Sequence, residues 1–527
     1  MEVTVNIYEL VLYFCVWIFS NIYSLHLLFV TQTDVLYNNT ELSYILSDMS
    51  PGWEMLYRPK DISDVEWSSW KYFIQSSWHY LILQFVVSEI LRRTELIALK
   101  YWYITSSVIF IVLHMGLKQL LVICAQPIIF VSIIFCGGKK ISIWLTGIVL
   151  LVSYNSLKYK YFFWYFLDHK ELEDEEVYLI LFTIAWIELR CISFCIDYID
   201  KKEKINNHNQ PTAVDTIVDM FSYILYLPLL YIGPMILYQD FEKSFCRPKE
   251  KLPLRLKNFI SDMSLFLFYT FILDLAFHFI YFLAMQNDME TIRKLPTIAL
   301  CGGGLWMGLE FHMKYVISYG TTTAFARLDN IDAPPTPRCI ARVHVYSQMW
   351  RYFDVGLYRF LVKYIYKPSF TTLSKCFMLY ESANKLIASF FTFVFIFMWH
   401  GTVWNIFVWS VLNFFGITME HIGKGISGGV LYKWFKENVL KTNEMETRFI
   451  ALLCTPLLAL SAISNFYLFG GTQVGNLFFE SLLNPSFWNT LLVCIALYSC
   501  CQVSMALKNI GSRTDKYNKR IEFNLEC

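Results

Sequence analysis

The sequence predicts an all-α polytopic membrane protein of about 10–12 transmembrane or re-entrant helices. Three observations carry that expectation. The 527 residues are 56% hydrophobic and only 17% charged, whereas a soluble globular chain carries about 25% charged residues. Mean hydropathy is +0.42. Apolar runs of about twenty residues, the length that spans a bilayer, recur along the chain. The same composition excludes a disordered chain, which needs low hydrophobicity and high charge. The net charge of +1 gives no overall basic bias toward nucleic acid.

Each element follows from its apolar run. The first run is Ile7–Val30. The residues before it lack a basic n-region and a small-residue cleavage site, so the run reads as a retained anchor. The second, Tyr72–Leu91, stops at Arg92-Arg93. Between them lies a polar, aromatic stretch with Pro51-Gly52-Trp53 and Arg58-Pro59-Lys60-Asp61. Then come Tyr103–Leu121, Leu120–Cys136, Ile141–Leu157, Val177–Ile199, Asp262–Met285 and Ile298–Tyr319. The run Leu386–Met419 would be about 50 Å long as one helix, against a hydrocarbon core of about 30 Å. It folds as two helices, or as one span with a tilted continuation. Phe449–Phe469 and Trp488–Leu507 close the series. The chain reads as one membrane domain over 1–527, with a motif-bearing core at 210–510 and a basic cytoplasmic tail at 508–527. The segment Ala324–Pro368, with Pro334-Pro335-Thr336-Pro337, is amphipathic or re-entrant.

Basic clusters set sidedness. Arg92-Arg93, Lys139-Lys140, Arg247–Lys251 and the tail are candidate cytoplasmic loops. That puts the N-terminus inside and the Asn38-Asn39-Thr40 sequon in the lumen. The acidic run Glu171–Glu176 reads as a solvated loop. The cysteines are scattered, with no CxxC pair, so neither zinc nor a disulfide framework is indicated.

Ionisable groups in apolar runs are costly unless they face protein or water. His400 sits in Phe393–Gly401 with no charged neighbour. A neutral imidazole there suits general-base work, or a hydrogen bond to a backbone carbonyl. Asp354, in Met349–Leu357, either orients a reacting group or pairs with Arg351 or Arg359. Glu310 with Lys314 reads as an i,i+4 pair. Glu188 and Arg190 call for interhelical partners. Pro228 and Gly233-Pro234 break an apolar stretch, and broken helices at membrane depth usually line a cavity. Cys339, between Arg338 and Arg342, is either a stabilised thiolate or an inert loop residue.

Four stretches together resemble the membrane-bound O-acyltransferase family, and within it the hedgehog acyltransferase branch. They are Tyr226–Pro234; Met349-Trp350-Arg351-Tyr352-Phe353-Asp354-Val355-Gly356-Leu357; Trp399-His400-Gly401 followed by Leu412–Thr418; and Phe469–Gly475. The resemblance implies palmitate transfer from palmitoyl-CoA to the N-terminal cysteine amine of a secreted hedgehog-type protein. It implies His400 and Asp354 as catalytic residues and Trp350, Arg351 and Asn413 as substrate-binding residues. It also implies an endoplasmic reticulum or Golgi membrane, and a haem held by a cysteine shortly before the catalytic aspartate, where Cys339 stands. A non-catalytic relative in this branch replaces the histidine, whereas His400 and Asp354 are both present here.

On this reading the acyl chain lies in a central tunnel, with CoA near Lys363 and Lys367 and the peptide coming from the lumen. The partners are palmitoyl-CoA, the protein acceptor and membrane lipids, without nucleic acid. Two rivals stay open: an acyltransferase of the same fold acting on a lipid or serine hydroxyl, and a transporter or scaffold.

Overall fold

A computed structural model gives the fold and describes residues 5–38, 48–155, 174–203, 212–246, 250–338, 345–376, 380–483 and 486–526, with the side chains of 35–38 and 509–526 outside the description. Cys339, Asn39-Thr40, Glu171–Glu173 and Arg247–Lys249 therefore lie outside the described residues.

The chain opens with α1 (Ile7–Asn38) and a small antiparallel hairpin of β1 (Met49–Pro51) and β2 (Pro59–Asp61), paired Met49 to Asp61. The outer helices of the first half are α2 (Val65–Thr94), α3 (Leu96–His114), α4 (Leu117–Phe135) and α5 (Lys140–Asn155). Helix α6 (Asp174–Lys202) runs through the middle of the bundle. Two shorter helices, α7 (Ala213–Ile224) and α8 (Tyr238–Cys246), flank an irregular segment, and α9 (Leu252–Ala276) follows. Two turns of helix, α10 (Phe282–Met285) and α11 (Met289–Arg293), lead into the second inner helix, α12 (Thr297–Leu328).

The segment after α12 carries α13 (Tyr346–Tyr352) and α14 (Val355–Phe360), then a π-helical stretch Leu361–Tyr366 that runs into α15 (Lys367–Cys376). The long run splits into α16 (Glu381–His400) and α17 (Trp404–Ser427), so the two-helix alternative holds. A short helix α18 (Val430–Phe435), prolonged by a π-helical turn to Leu440, precedes α19 (Asn443–Leu483), which bends at Gly471. Helix α20 (Phe487–Glu526) closes the chain.

Among the described residues nine helices are long and apolar enough to cross a membrane: α1, α3, α4, α6, α9, α16, α17, α19 and α20. Helix α5 is apolar but only 16 residues long. Helices α2 and α12, of 30 and 32 residues, match the length but carry more polar side chains. Several of those polar groups are bonded inside the protein, which offsets the cost of removing them from water. Arg92 is one: predicted to mark a loop, it is buried, donating to Asp329 Oδ1 at 3.0 Å and Tyr103 Oη at 2.9 Å. Arg255 likewise reaches Glu89 at 2.7 Å.

The broken stretch around Pro228 and Gly233-Pro234 is fully buried and does not line the large cavity described below. Besides a 3-10 turn at Leu227–Leu229, carbonyls in and beside it accept from side chains outside the segment. Arg190 donates to the carbonyls of Ile224 and Leu229, Ser107 to that of Leu225, and Tyr223 to that of Ile236 at 2.6 Å. So Arg190 is not an orphan charge but the donor that replaces a missing helix. Glu188 finds no such partner: among the described residues neither carboxyl oxygen has a hydrogen bond. Glu176, expected in a solvated loop, is buried at the start of α6 and accepts from the Tyr72 hydroxyl.

Candidate active site

His400 is the last residue of α16. The helix stops there because Gly401 adopts φ +124°, which residues with a Cβ rarely reach. Asn155, at the end of α5, closes the turn from the side. Its Nδ2 donates to the Met398 carbonyl at 2.9 Å, and its Oδ1 accepts from the Thr402 N–H at 2.9 Å. The imidazole stands edge-on between two indoles, with ring centroids 4.8 Å from Trp399 and 5.0 Å from Trp409. Each indole is tethered: Trp399 Nε1 donates to the Ala185 carbonyl at 3.1 Å, and Trp409 Nε1 to Asn465 Oδ1 at 3.3 Å. Among the described residues nothing hydrogen-bonds to either His400 ring nitrogen, and the ring faces an internal cavity.

Asp354 caps α14: its Oδ1 accepts from the Leu357 N–H at 2.8 Å. Its Oδ2 accepts from the Tyr319 hydroxyl on α12 at 3.0 Å. The ion pair open in the sequence does not form. Arg359 pairs instead with Asp240 at 2.8 Å, and the Arg351 guanidinium lies over the Tyr358 ring at 5.8 Å. Gly356 lets this turn pack on the buried irregular segment. A Cβ there would lie 1.9 Å from the Met235 carbonyl oxygen, and a backbone atom cannot swing away.

Asp354 and His400 line one cavity of about 1760 Å³. A ligand pocket is typically about 300–1,000 Å³, so this one has room for more than a single small ligand. Most of its wall is apolar, drawn from α1, α6, α12, α19 and α20. Trp350 also lines it, 5.5 Å from Trp409 between ring centroids. Asn413 does not reach the cavity. It is fully buried behind Trp350, accepting from Trp350 Nε1 at 3.1 Å and donating to the Trp409 carbonyl at 2.8 Å. Arg351 points away from the cavity wall, exposed. Lys363 is held by Asp197 at 2.8 Å.

The cavity also has a charged wall that the local sequence pattern hides. Lys314 of α12 meets Asp64 at 2.5 Å and Glu66 at 2.9 Å from the start of α2, besides Glu310 at 3.6 Å. The Tyr315 hydroxyl donates to Glu66 Oε1 at 2.7 Å. All five residues line the cavity. The i,i+4 spacing of Glu310 and Lys314 was legible; the two partners from α2 were not, because they lie about 250 positions away. Among the described residues no group of three or more His, Cys, Asp or Glu side chains is arranged to hold a metal ion.

Comparison with known sequences places the chain in a family. Residues 134–426 match the membrane-bound O-acyltransferase family. The chain is 28% identical over 463 residues to the protein-cysteine N-palmitoyltransferase Rasp of Drosophila melanogaster, covering 86% of this chain and 87% of that one. It is 26% identical over 395 residues to the mouse protein-cysteine N-palmitoyltransferase HHAT, covering 71% of this chain and 74% of the relative. A mouse HHAT-like protein matches at 26% over 377 residues, 70% of each chain. The family match extends from α4 through α17 and so contains both Asp354 and His400. The protein belongs to the membrane-bound O-acyltransferase family.

Proposed function

We propose that this protein is a protein-cysteine N-palmitoyltransferase, moving palmitate from palmitoyl-CoA to the N-terminal cysteine amine of a secreted hedgehog-type protein. The single observation that carries the reading is the shared cavity. A histidine whose ring nitrogens have no hydrogen bond among the described residues and a carboxylate fixed by Tyr319 face the same apolar space.

His400 acts as base on the α-amino group, whose reference pKa of about 7.8 leaves it largely protonated at neutral pH. The ammonium gives its first proton to water; the neutral amine nitrogen then attacks the thioester carbonyl, the C–S bond breaks, and the second proton passes through His400 to the CoA thiolate as it leaves. Asp354 balances charge or orients the amine. Trp350 shapes the cavity, with Asn413 holding its indole. Arg351, on the exposed face, is offered to the CoA head from the cytosolic side. The wall with three carboxylates around one lysine has the sign that suits an incoming ammonium. The proposed location is the endoplasmic reticulum or Golgi membrane, where secreted acceptors pass.

Thioester aminolysis changes no oxidation state. A haem held by Cys339 would therefore act as a brace, and a Soret band lost on Cys339→Ala is its test. The activity is tested with alkyne palmitoyl-CoA and three acceptors: a Cys-initial peptide, a Ser-initial peptide and a lysophospholipid. Amide formation on the Cys-initial peptide, lost in His400→Ala, is expected. Equal labelling of the lysophospholipid, or normal turnover by purified His400→Ala, would overturn the reading.

A further inference from the structure

The exposed apolar stripe of α17 does not end with the helix. Phe415, Met419, Ile422 and Ile426 form its lipid-facing edge. At 24 residues α17 is about 36 Å long and already exceeds a hydrocarbon core of about 30 Å. Beyond the Gly428-Gly429 turn the stripe continues into α18: Val430 is 83% exposed, Leu431 84% and Trp434 60%.

The opposite face of α18 and its π-helical extension is packed. The Tyr432 hydroxyl donates to Glu446 Oε1 at 3.0 Å, Lys436 pairs with Glu446 at 2.7 Å, and Phe435 lies 5.3 Å from Phe449 between ring centroids. This element has six helical and five π-helical residues, too short to cross a bilayer. Its neighbour Arg448 meets Glu9 at 2.5 Å, which puts it at the same end of the bundle as the N-terminus. Nearby cations are mostly neutralised: Lys424 by Glu420, Lys436 by Glu446, Arg448 by Glu9. Lys433 and Lys441 are exposed and have no ion pair among the described residues.

We propose that Val430–Leu440 lies in the headgroup layer of the cytosolic leaflet, with Val430, Leu431 and Trp434 in the acyl boundary and Lys433 and Lys441 on anionic phospholipid headgroups. The occupant is lipid because the patch continues the lipid-facing edge of α17 and, among the described residues, its unpaired exposed charges, Lys433 and Lys441 against Glu437, leave a positive balance. Short amphipathic helices with Trp and Leu on one face and lysine beside it bind in this way. Each lysine near such a surface contributes about 1 kcal/mol, or about fivefold in the bound population.

The test is hydrogen exchange of the full chain in phosphatidylcholine nanodiscs with and without phosphatidylserine. Amides of 430–440 are expected to be protected in both, and more strongly with phosphatidylserine. Lys433→Glu with Lys441→Glu should remove the phosphatidylserine increment and keep the rest. Leu431→Glu with Trp434→Glu should lose both, while α12 stays protected as evidence of folding. Equal exchange in the two lipids, or no effect of either pair of substitutions, would overturn the proposal. So would protection in detergent that grows with protein concentration, which would identify a second copy of the chain as the occupant.

Discussion

The Tyr319 hydroxyl holds Asp354 Oδ2 at 3.0 Å, while the Leu357 N–H holds Oδ1 at 2.8 Å. A carboxylate with both oxygens bonded keeps one orientation toward the cavity. The phenol comes from an inner helix and the amide from the turn that Asp354 caps, so the aspartate joins two elements that must stay in register.

Tyr319→Phe removes one of those bonds without changing packing volume. Loss of such a bond typically costs about 1–3 kcal/mol, so kcat should fall roughly tenfold with the KM for palmitoyl-CoA little changed. A variant with full kcat would show that Asp354 orientation does not depend on Tyr319.

Asn155 should behave as a positioning residue for His400. It touches the Met398 carbonyl and the Thr402 N–H on both sides of the turn, and the histidine itself is not among its partners. Asn155→Leu keeps the bulk and loses both bonds. Turnover is expected to drop about tenfold. If the defect is in positioning, Asn155→Asp restores the acceptor to Thr402 and part of the rate, whereas a folding defect would lower membrane yield in both variants.

Lys314 sits among Asp64, Glu66 and Glu310, and its removal leaves carboxylates without a counter-charge. Breaking a buried pair from one side costs about 3–5 kcal/mol. Lys314→Met should lower the melting temperature in detergent markedly. Adding Asp64→Asn and Glu66→Gln should recover much of the loss; if the triple variant melts lower still, the cluster is not stabilised as a charge pair.

The hairpin of β1 and β2 supplies a pH dependence. Burial pushes the Asp61 carboxyl up to about 6, partly offset by the Ser63 hydroxyl and the N–H groups of Ser63 and Ala284, while the Asp64 charge adds to the rise. An unfolded aspartate titrates near about 3.9. The folded protein therefore holds this proton more tightly, and the associated stability is complete below about 4 and lost as pH rises to about 6. The size is roughly 3 kcal/mol. Hairpin amides, normalised for intrinsic rate, should open more readily at pH 7 than at pH 4, and Asp61→Ala should flatten that slope.

Much of the architecture was legible because hydropathy is a local property. The run Leu386–Met419 was too long for one crossing, and the break falls at Gly401–Val403, where glycine permits the turn. Asp354 and His400 were visible as polar exceptions in apolar surroundings. Asn413 was visible as part of a motif, yet its place behind Trp350 was not, because a motif does not say which face of a helix meets a cavity.

The sequence by itself determined a helical membrane protein with a histidine and an aspartate where the bilayer penalises them. Only the tertiary structure decided their company. Tyr319 lies 35 positions from Asp354, and Asn155 lies 243 from Met398. Such partners are chosen by how helices pack, and lipid-facing, cavity-facing and core-facing apolar residues have the same composition. The cost of an unpaired polar group in hydrocarbon requires that partners exist; the packing alone selects which.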